Sequence, residues 1–266
     1  MENNKGKTAL ITGASSGIGY EIAKLFARDG INLVLVARRK ELLGSIKTEL
    51  VKQYDINVCI IDFDLSEKGK PAELYEFCKL KNIKVDFLVN NAGYGDYEKV
   101  INGNPETYEN MLQLNILSLT GLTTLFVKDM VKQGYGKVLN LGSLAAFQST
   151  PIMAVYAASK SYVMHFTEAL HAELKGTGVT ATVLSPGITK TGFVNRARMN
   201  NSAFVQGSQL DAGNVARAGY DGMFAGKLNV VPVLLNSLMA FGTSVTPSRR
   251  LLLAISSYVM RDKTKA

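Results

Sequence analysis

Short apolar runs alternate with longer amphipathic segments through the first two thirds of this chain of 266 residues. Each run has the length of a strand and lacks the polar alternation of a strand with one solvated face. Segments with helical spacing separate the runs, and parallel strands need such crossover helices. The pattern predicts a doubly wound α/β fold, a parallel sheet covered by helices on both faces. The runs are Thr8–Ile11, Ile31–Ala37, Val58–Ile61, Val85–Val89, Val138–Leu141 and Val179–Leu184.

The alternation stops near Gly187, and the rest of the chain has a different pattern. Residues 188–226 have the composition of a loop followed by a helix, which predicts a lid over a substrate. Asn229–Val233 is apolar and predicts a short last strand. Residues 234–266 form an apolar and basic tail of weak periodicity. We therefore expect one domain over residues 1–266 with a C-terminal helical extension.

The charge balance and the rare residue types exclude several classes of function. The chain has 30 Lys+Arg against 22 Asp+Glu, but the basic residues are scattered and accompany no nucleic-acid-binding motif. Two cysteines and two histidines are too few for a disulfide framework, a Cys-rich metal site or a Ser-His-Asp triad. The N-terminal MENNKGKTAL lacks the apolar core of a signal peptide. We expect a cytoplasmic protein that binds neither metal nor nucleic acid.

The first strand leads into a glycine-rich turn with the sequence TGASSGIG at residues 12–19. Its glycines permit a tight turn and a close backbone approach, and the helix that follows offers unpaired N–H groups to a phosphate. The alternative is a tight corner that binds nothing, because a glycine-rich turn alone is weakly specific. We predict that the turn binds a dinucleotide through Gly13, Ser15, Ser16, Gly17, Ile18 and Gly19.

The residues after the second and third strands indicate which dinucleotide binds. An NAD site usually places an acid after the second strand to bond the ribose 2′-hydroxyl, whereas an arginine accommodates a 2′-phosphate. Arg38 and Arg39 stand there in this chain, so NADP(H) is favoured over NAD(H). The alternative is a pair of solvated arginines at a helix start. Asp64 and Leu65 follow the third strand and are expected beside the adenine. Asp62 is the alternative residue for this contact.

A Tyr-x-x-x-Lys spacing, which places a phenol and an ammonium on one helical face, occurs three times. A neighbouring ammonium lowers the pKa of a phenol from about 10 toward the range that acid–base catalysis needs. Because the spacing recurs, it does not by itself identify a catalytic pair. The pairs are Tyr20/Lys24, Tyr75/Lys79 and Tyr156/Lys160.

Position along the chain distinguishes the third pair. Tyr156 and Lys160 follow a strand that ends near Ser143, which the fold places at the carboxyl edge of the sheet. An Asn-Asn-Ala-Gly sequence at residues 90–93 follows the fourth strand, and Asn115 lies in the long helix after it. These polar groups are expected to converge at one edge.

Together these motifs resemble the short-chain dehydrogenase/reductase family. The resemblance covers about residues 5–191 and implies a Rossmann-like fold and an oxidoreductase that transfers a hydride between nicotinamide and a carbonyl or secondary alcohol. The motifs are TGASSGIG at 12–19, NNAG at 90–93, Asn115, Ser143, YAASK at 156–160 and PGITKT at 186–191.

The resemblance also implies a role for each site residue. Tyr156 would act as general acid in carbonyl reduction, and Lys160 would lower its pKa and bind the nicotinamide ribose. Ser143 would hydrogen-bond the substrate oxygen, and Asn115 would hold a water that continues a proton relay from Lys160. Further coenzyme contacts are implied for Asn91, Ala92, Gly93, Pro186, Gly187, Ile188, Thr189 and Thr191.

The residues expected around the substrate are mostly apolar, which favours a hydrophobic ketone such as a ketoacyl or steroid-like compound. Arg196 and Arg198 lie in the expected lid and are interpreted as solvated, with contact to an anionic group as the alternative. Members of the family are often dimers or tetramers, so a homo-oligomer is expected. The residues expected at the substrate are Tyr94, Ala145, Phe147, Met153, Phe193, Met199 and Phe204.

The tail permits two interpretations. Residues 227–266 carry six basic side chains against one acid, among apolar stretches at Val230–Leu235 and Leu251–Ile255. Packing against the sheet edge, the lid or another subunit is the preferred interpretation, and contact with an anionic membrane surface is the alternative. Two non-enzymatic functions are therefore kept as alternatives, an NADP(H)-sensing module and a membrane-surface interaction module. Ser143, Tyr156 and Lys160 argue against the sensing module, because binding alone does not require them.

Overall fold

The computed structural model describes residues 4–199, 209–246 and 248–260. Its centre is a parallel sheet of seven strands in the order β3-β2-β1-β4-β5-β6-β7. The strands are β1 (Thr8–Thr12), β2 (Asn32–Val36), β3 (Val58–Ile61), β4 (Phe87–Asn90), β5 (Gly136–Leu141), β6 (Val179–Leu184) and β7 (Asn229–Val230).

Ten α-helices occur in the described part of the chain. The first six alternate with the strands, apart from α4 and α5, which follow one another between β4 and β5. They are α1 (Gly17–Arg28), α2 (Lys40–Gln53), α3 (Lys70–Leu80), α4 (Pro105–Leu112), α5 (Leu119–Gln133), α6 (Ala154–Glu173), α7 (Phe193–Arg196), α8 (Ala212–Phe224), α9 (Leu234–Val245) and α10 (Arg249–Val259).

Consecutive residues of the central strands point to opposite faces of the sheet, and both faces are buried. Leu10 of β1 belongs to a cluster with side chains of α3 and α5. Ile11, the next residue, belongs to a second cluster with side chains of α1, α2 and α8. Because helices cover both faces, the strands carry no polar alternation. The predicted doubly wound, Rossmann-like α/β fold with a C-terminal helical extension is therefore confirmed.

The strand bounds differ slightly from the prediction, for local reasons. Ile31 donates its N–H to the Phe26 carbonyl at the end of α1, so β2 begins one residue later. The Asp86 carboxylate accepts a hydrogen bond from the N–H of Thr8, and β4 begins only at the next residue. The last strand ends at Val230 rather than residue 233, and Pro232 has no N–H for a sheet.

The longest helical stretch joins α4 to α5 through a π-helical turn at Gln113–Ser118. Residues Pro105–Gln133 are long and apolar enough to cross a membrane, but half of the most apolar window is buried inside the fold. Within that stretch α5 packs against α3 and β5. We therefore assign this stretch to the folded core.

The order of the strands creates a crevice. From β1 the chain builds β2 and β3 on one side and then returns to place β4 on the other side of β1. Loops leaving the carboxyl ends of β1 and β4 therefore run to opposite faces, and ligands of such sheets bind in the gap between them.

Candidate active site

One cavity of about 740 Å³ lies at the carboxyl edge of the sheet. It is lined by every residue predicted to bind coenzyme or take part in catalysis except Gly19 and Asn115, which lie immediately behind its wall. Residues more than 170 positions apart in sequence thus meet in one chamber.

The glycine turn forms one end of this cavity. Gly13 and Gly17 have positive φ values of 65° and 58°, a conformation that glycine adopts without strain. A Cβ at Gly13 would lie 2.8 Å from Nδ2 of Asn91, and a Cβ at Gly17 would lie 2.8 Å from the Thr191 methyl group. The turn therefore touches the loops after β4 and β6, and its glycines permit both contacts.

Asn91 fastens the glycine turn to β4. Its Nδ2 donates to the carbonyl oxygens of Thr12 at 2.9 Å and Gly13 at 3.2 Å. The backbone N–H groups of Asn91 and Ala92 both donate to the Thr12 hydroxyl at 3.0 Å. A side chain expected to contact coenzyme thus also holds the shape of the phosphate-binding turn.

Three arginines gather at this end of the cavity. Nη1 of Arg38 lies 3.3 Å from Oδ2 of Asp64, and Nη2 of Arg39 donates to Ser15 at 2.9 Å and to Ser16 at 2.8 Å. The Arg38 side chain is about half exposed at 53%, so its guanidinium remains accessible to a ligand. Arg196 is the third, and its guanidinium carbon stacks 4.0 Å from the centroid of the Tyr94 ring.

The charges in this group perturb one another. Burial, together with the positive charge of Arg38, lowers the pKa of Arg196. For Asp64, burial raises the pKa, but hydrogen bonds from Ser66 and Arg38 outweigh it, so the pKa is lowered and the carboxylate stays ionised. Asp64 provides one negative charge beside three positive ones. This arrangement leaves a positive end that suits phosphate.

Tyr156 and Lys160 lie one turn apart on α6, at the centre of the cavity floor. Burial raises the pKa of Tyr156 to about 12, against a smaller opposite effect of a hydrogen bond with Ser143. Burial also lowers the pKa of Lys160 to about 8. Its Nζ donates to the carbonyl oxygen of Leu141, the last residue of β5, at 2.6 Å.

The structure therefore corrects one expectation from the sequence. Lys160 was expected to lower the pKa of Tyr156, but burial dominates and the pKa is raised. The ammonium lies 5.8 Å from the centroid of the phenol ring and is directed to the Leu141 carbonyl. The Tyr156 phenol is consequently neutral at physiological pH in this structure.

Asn115 stands in the π-helical turn and fastens the loop after β4. Its Nδ2 donates to the Tyr94 carbonyl at 2.9 Å and to Ser159 at 3.1 Å, while its Oδ1 accepts from the Tyr94 N–H at 3.2 Å. A Cβ at Gly93 would lie 3.0 Å from Oδ1 of Asn115 and 3.5 Å from Nζ of Lys160. Glycine at 93 thus lets the amide and the ammonium approach each other. Such π turns frequently occur at functional sites.

The segment after β6 forms another wall. The Pro186 carbonyl accepts the N–H of Leu144 at 2.9 Å, which ties the segment to the turn that carries Ser143. The Thr189 hydroxyl donates to the Gly187 carbonyl at 3.0 Å, and Thr191 accepts the N–H of Phe193. The two threonines therefore shape the wall and line the cavity together with Ile188.

Most residues expected to contact substrate line the apolar part of the cavity: Ala145, Phe147, Met153, Phe193 and Met199. Tyr94 is not among the lining residues and instead packs against Arg196. Phe204 lies outside the described residues. Arg198, expected to be solvated, is 65% exposed and also pairs with the buried carboxylate of Asp96.

Sequence reasoning missed part of the cavity wall. The tail contributes to it from α9 and α10. Arg196 of α7, for which contact with an anionic group was the alternative expectation, lines the positive end. A hydrogen bond from the Tyr97 hydroxyl to the Met260 carbonyl, 2.7 Å long, fixes the end of α10 to the loop after β4. No motif signals this placement, and the only hint was the apolar composition of the tail. The added wall residues are Ala240, Gly242, Thr243, Thr246, Leu252, Ile255, Ser256, Val259 and Met260.

The sequence profile described as short chain dehydrogenase matches residues 7–202 of this chain. The chain belongs to the short-chain dehydrogenase/reductase family. It is accordingly an oxidoreductase of the short-chain dehydrogenase/reductase type, an enzyme class that uses a nicotinamide coenzyme and acts on small molecules.

Individual proteins of this family differ in substrate. The very-long-chain 3-oxoacyl-CoA reductase of Anas platyrhynchos is 32% identical over 187 residues, which cover 68% of this chain and 59% of that protein. This chain therefore aligns with less than two thirds of that relative's length.

Two solved structures resemble this short-chain dehydrogenase/reductase closely. A short-chain dehydrogenase from Sphingobium yanoikuyae in complex with NADPH has a TM-score of 0.80 and 28% identity, and 91% of this chain and 97% of that chain are covered. The bulky-bulky ketone specific alcohol dehydrogenase from Comamonas testosteroni has a TM-score of 0.76 and 26% identity, with 91% and 95% covered.

A methyl group at Gly19 tests how tightly the coenzyme end is packed. Its Cβ would collide with the Asn91 amide and the Gly13 carbonyl, so Gly19→Ala is expected to weaken NADPH binding at least about tenfold. Titration calorimetry measures the affinity. The matched control is Gly44→Ala in α2, where a Cβ meets nothing within 4 Å. Equal affinities of the two variants would contradict this account of the turn.

Proposed function

We propose that this enzyme reduces bulky hydrophobic ketones with NADPH. The observation that carries the proposal is the composition of one cavity, which has a protonated phenol on its floor, arginines at one end and apolar side chains around the other. Each part supports a different element of the reaction, namely proton donation, choice of coenzyme and choice of substrate.

The residues at the positive end fit an NADP(H) molecule. The glycine turn exposes the start of α1, where unpaired N–H groups suit the pyrophosphate. Arg38 and Arg39 follow β2, at the position where the 2′-phosphate of NADP(H) requires positive charge. The acid that would bind the ribose 2′-hydroxyl of NAD(H) is not found at these two positions. Asn91, Ala92, Gly93 and the 186–191 segment would hold the nicotinamide half. When bound, the coenzyme supplies the hydride for reduction.

Tyr156 would deliver the proton. Its high pKa keeps the hydroxyl protonated at neutral pH, which favours its role as general acid in carbonyl reduction. Ser143, hydrogen-bonded to Tyr156, would donate to the substrate oxygen and stabilise the charge that develops there. Lys160 would bind the nicotinamide ribose and place a positive charge near the phenol.

Asn115 would support this proton transfer by positioning. Its side chain is fully engaged with Tyr94 and Ser159, so the side chain itself does not carry protons in this arrangement. By holding the loop at Gly93 against Lys160, it would keep the ammonium in place. A water bound near the Asn115 backbone would continue the relay toward solvent.

The lining of the cavity around Tyr156 supports an apolar substrate. Phe147, Met153, Phe193 and Met199 surround the space around Tyr156, and the tail adds Leu252 and Ile255. The resemblance to a bulky-ketone alcohol dehydrogenase and to a 3-oxoacyl-CoA reductase agrees with this class. The segment from residue 188 onward would close over such a substrate as a lid. A panel of aliphatic, aromatic and cyclic ketones, assayed with NADPH and with NADH, tests the proposal.

Assembly and compartment remain predictions from the sequence. We expect a homodimer or homotetramer in the cytoplasm. Exposed apolar side chains on the helical layer of α5 and α6, such as Leu117 in the π turn and Tyr162 in α6, support association through these helices.

Replacement of the phenol tests the proposed general acid. Tyr156→Phe is expected to lower kcat about 10²–10⁴-fold and to leave NADPH affinity nearly unchanged, because only the proton donor is lost. The matched control is Tyr75→Phe, from a second Tyr-x-x-x-Lys pair whose hydroxyl bonds Asp129 on the outer helices. Turnover is measured as loss of NADPH absorbance. A normal kcat of the Tyr156→Phe variant would contradict the assignment of Tyr156 as general acid.

The pKa of Lys160 predicts a pH dependence. Below a pKa of about 8 the amine is charged, and above it the charge is lost, while Tyr156 stays protonated up to about pH 12. The kcat/KM for ketone reduction is therefore expected to be constant below pH 8 and to fall above it. Lys160→Arg, which stays charged, should move the fall to higher pH. A kcat/KM that rises through pH 8 would contradict the prediction.

Removal of one arginine tests the choice of coenzyme. Arg38→Ala is expected to raise the KM for NADPH at least about tenfold and to change the KM for NADH little, because only NADPH carries the 2′-phosphate. Arg28→Ala is the control, since Arg28 lies at the far end of α1 and pairs with Asp29. Equal losses with both coenzymes would count against a 2′-phosphate site at Arg38.

A further inference from the structure

The two tail helices have an unusual distribution of apolar side chains. In a helix that packs on a protein core, the apolar stripe faces inward. In α9, Leu238, Phe241 and Val245 recur at helical spacing and are 59%, 66% and 58% exposed. In α10, Leu251 and Tyr258 lie seven residues apart and are 53% and 71% exposed, while the small Ser256 is buried.

These five side chains lie outside the cavity wall. None of Leu238, Phe241, Val245, Leu251 and Tyr258 lines the cavity, and all five are exposed. We call these five side chains the outer apolar surface. Other faces of the same helices line the cavity, for example through Ala240 and Leu252. Each tail helix therefore has one face in the cavity wall and another, apolar face that is exposed.

The charges on α9 and α10 have one sign. The sequence from Lys227 to Met260 contains no Asp or Glu, and Arg249 and Arg250 begin α10 with exposed side chains. In the loop that bonds Met260, Asp96 pairs with Arg198, and the charge of Glu98 acts on the same arginine. An exposed apolar face bordered by arginines complements a bilayer surface that contains anionic lipids.

A second copy of the chain fits this surface less well. In a pairing of two outer apolar surfaces each copy would contribute Arg249 and Arg250 of α10, and the sequence from Lys227 to Met260 has no acid to neutralise them. A bilayer provides both the apolar interior for the five side chains and the phosphates for the arginines. Single exposed apolar residues are ordinary, but five that recur at helical spacing on two consecutive helices indicate an interaction site.

We propose that α9 and α10 dock the enzyme on an anionic membrane surface through the outer apolar surface, with Arg249 and Arg250 at the lipid phosphates. Ile255 and Val259 of α10 line the cavity and are 52% and 40% exposed, so the cavity opens beside this helix and docking brings its opening to the bilayer. Hydrophobic ketones dissolved in the lipid then reach Tyr156 without crossing bulk water. The docking itself rests on the surface alone, whereas this delivery of substrate rests on the proposed reductase function.

Vesicle sedimentation of the full chain tests docking without any substrate. The protein is expected to sediment with vesicles of phosphatidylcholine and phosphatidylglycerol, and less with phosphatidylcholine alone or at about 1 M salt, where charges are screened within about 3 Å. Phe241→Glu is expected to lower the partition coefficient at least about tenfold, because it removes a large apolar side chain and adds a repelled charge. Arg249→Gln and Arg250→Gln should each lower it about fivefold on the anionic vesicles.

The matched control is Leu80→Glu, which makes the same change of charge at another exposed apolar residue, 81% exposed at the end of α3. It should bind vesicles like the unaltered protein. Absence of binding to the anionic vesicles, or equal binding by Phe241→Glu and Leu80→Glu, would overturn docking. A smaller oligomer of Phe241→Glu in mass photometry without vesicles would also overturn it, because the surface would then be a subunit interface.

Activity assays separate this proposal from the proposed function. Phe241→Glu should reduce a water-soluble ketone at the normal rate, because Phe241 does not line the cavity. With a hydrophobic ketone carried in anionic vesicles, its rate should fall at least about tenfold, in line with its partition coefficient. Equal rates on the vesicle-borne ketone would overturn delivery through the membrane. An inactive unaltered protein that still binds vesicles would instead overturn the reductase assignment and leave docking supported.

Discussion

A parallel sheet must be covered on both faces, and this requirement determines where the chemistry of this chain lies. The helices α1, α2 and α8 cover one face and α3 and α5 the other, so the loops after β1 and β4 run to opposite faces and separate at the carboxyl ends of these strands. Gly13 and Gly19 of the glycine turn meet Asn91 across this separation. The cavity is thus a consequence of strand order. The side chains that line it determine which ligands it can bind.

Burial shifts the pKa values of Tyr156 and Lys160 in opposite directions, because it disfavours the charged form of each group. It raises the pKa of the Tyr156 phenol and lowers the pKa of the Lys160 amine. The Leu141 carbonyl at the end of β5 accepts a hydrogen bond from the buried ammonium of Lys160. The two groups therefore differ by about 4 in pKa, with the phenol neutral and the amine near its titration range. An enzyme that protonates a ketone requires this neutral phenol.

The sequence was sufficient for the sheet and for the polar edge, but not for the tail. Strands buried on both faces leave continuous apolar runs, so six of the seven were predicted from such runs, and the short seventh was predicted at Asn229–Val233. Ser143, Tyr156 and Lys160 were identifiable because each follows a strand at a fixed edge, and the structure brings them into one cavity. The predicted lowering of the Tyr156 pKa was wrong, because the spacing of residues along a helix does not show how deeply they are buried. The wall from α9 and α10 was not predictable either, because its long-range contacts, such as Tyr97 with Met260, have no local signature.

That last contact has a practical consequence for labelling the protein. The carbonyl of Met260 is hydrogen-bonded to the Tyr97 side chain, and Met260 lines the cavity. Thr8 begins β1 at the opposite edge of the sheet. A fluorescent label is therefore better attached near the start of β1 than near Met260, because there it stays remote from the cavity.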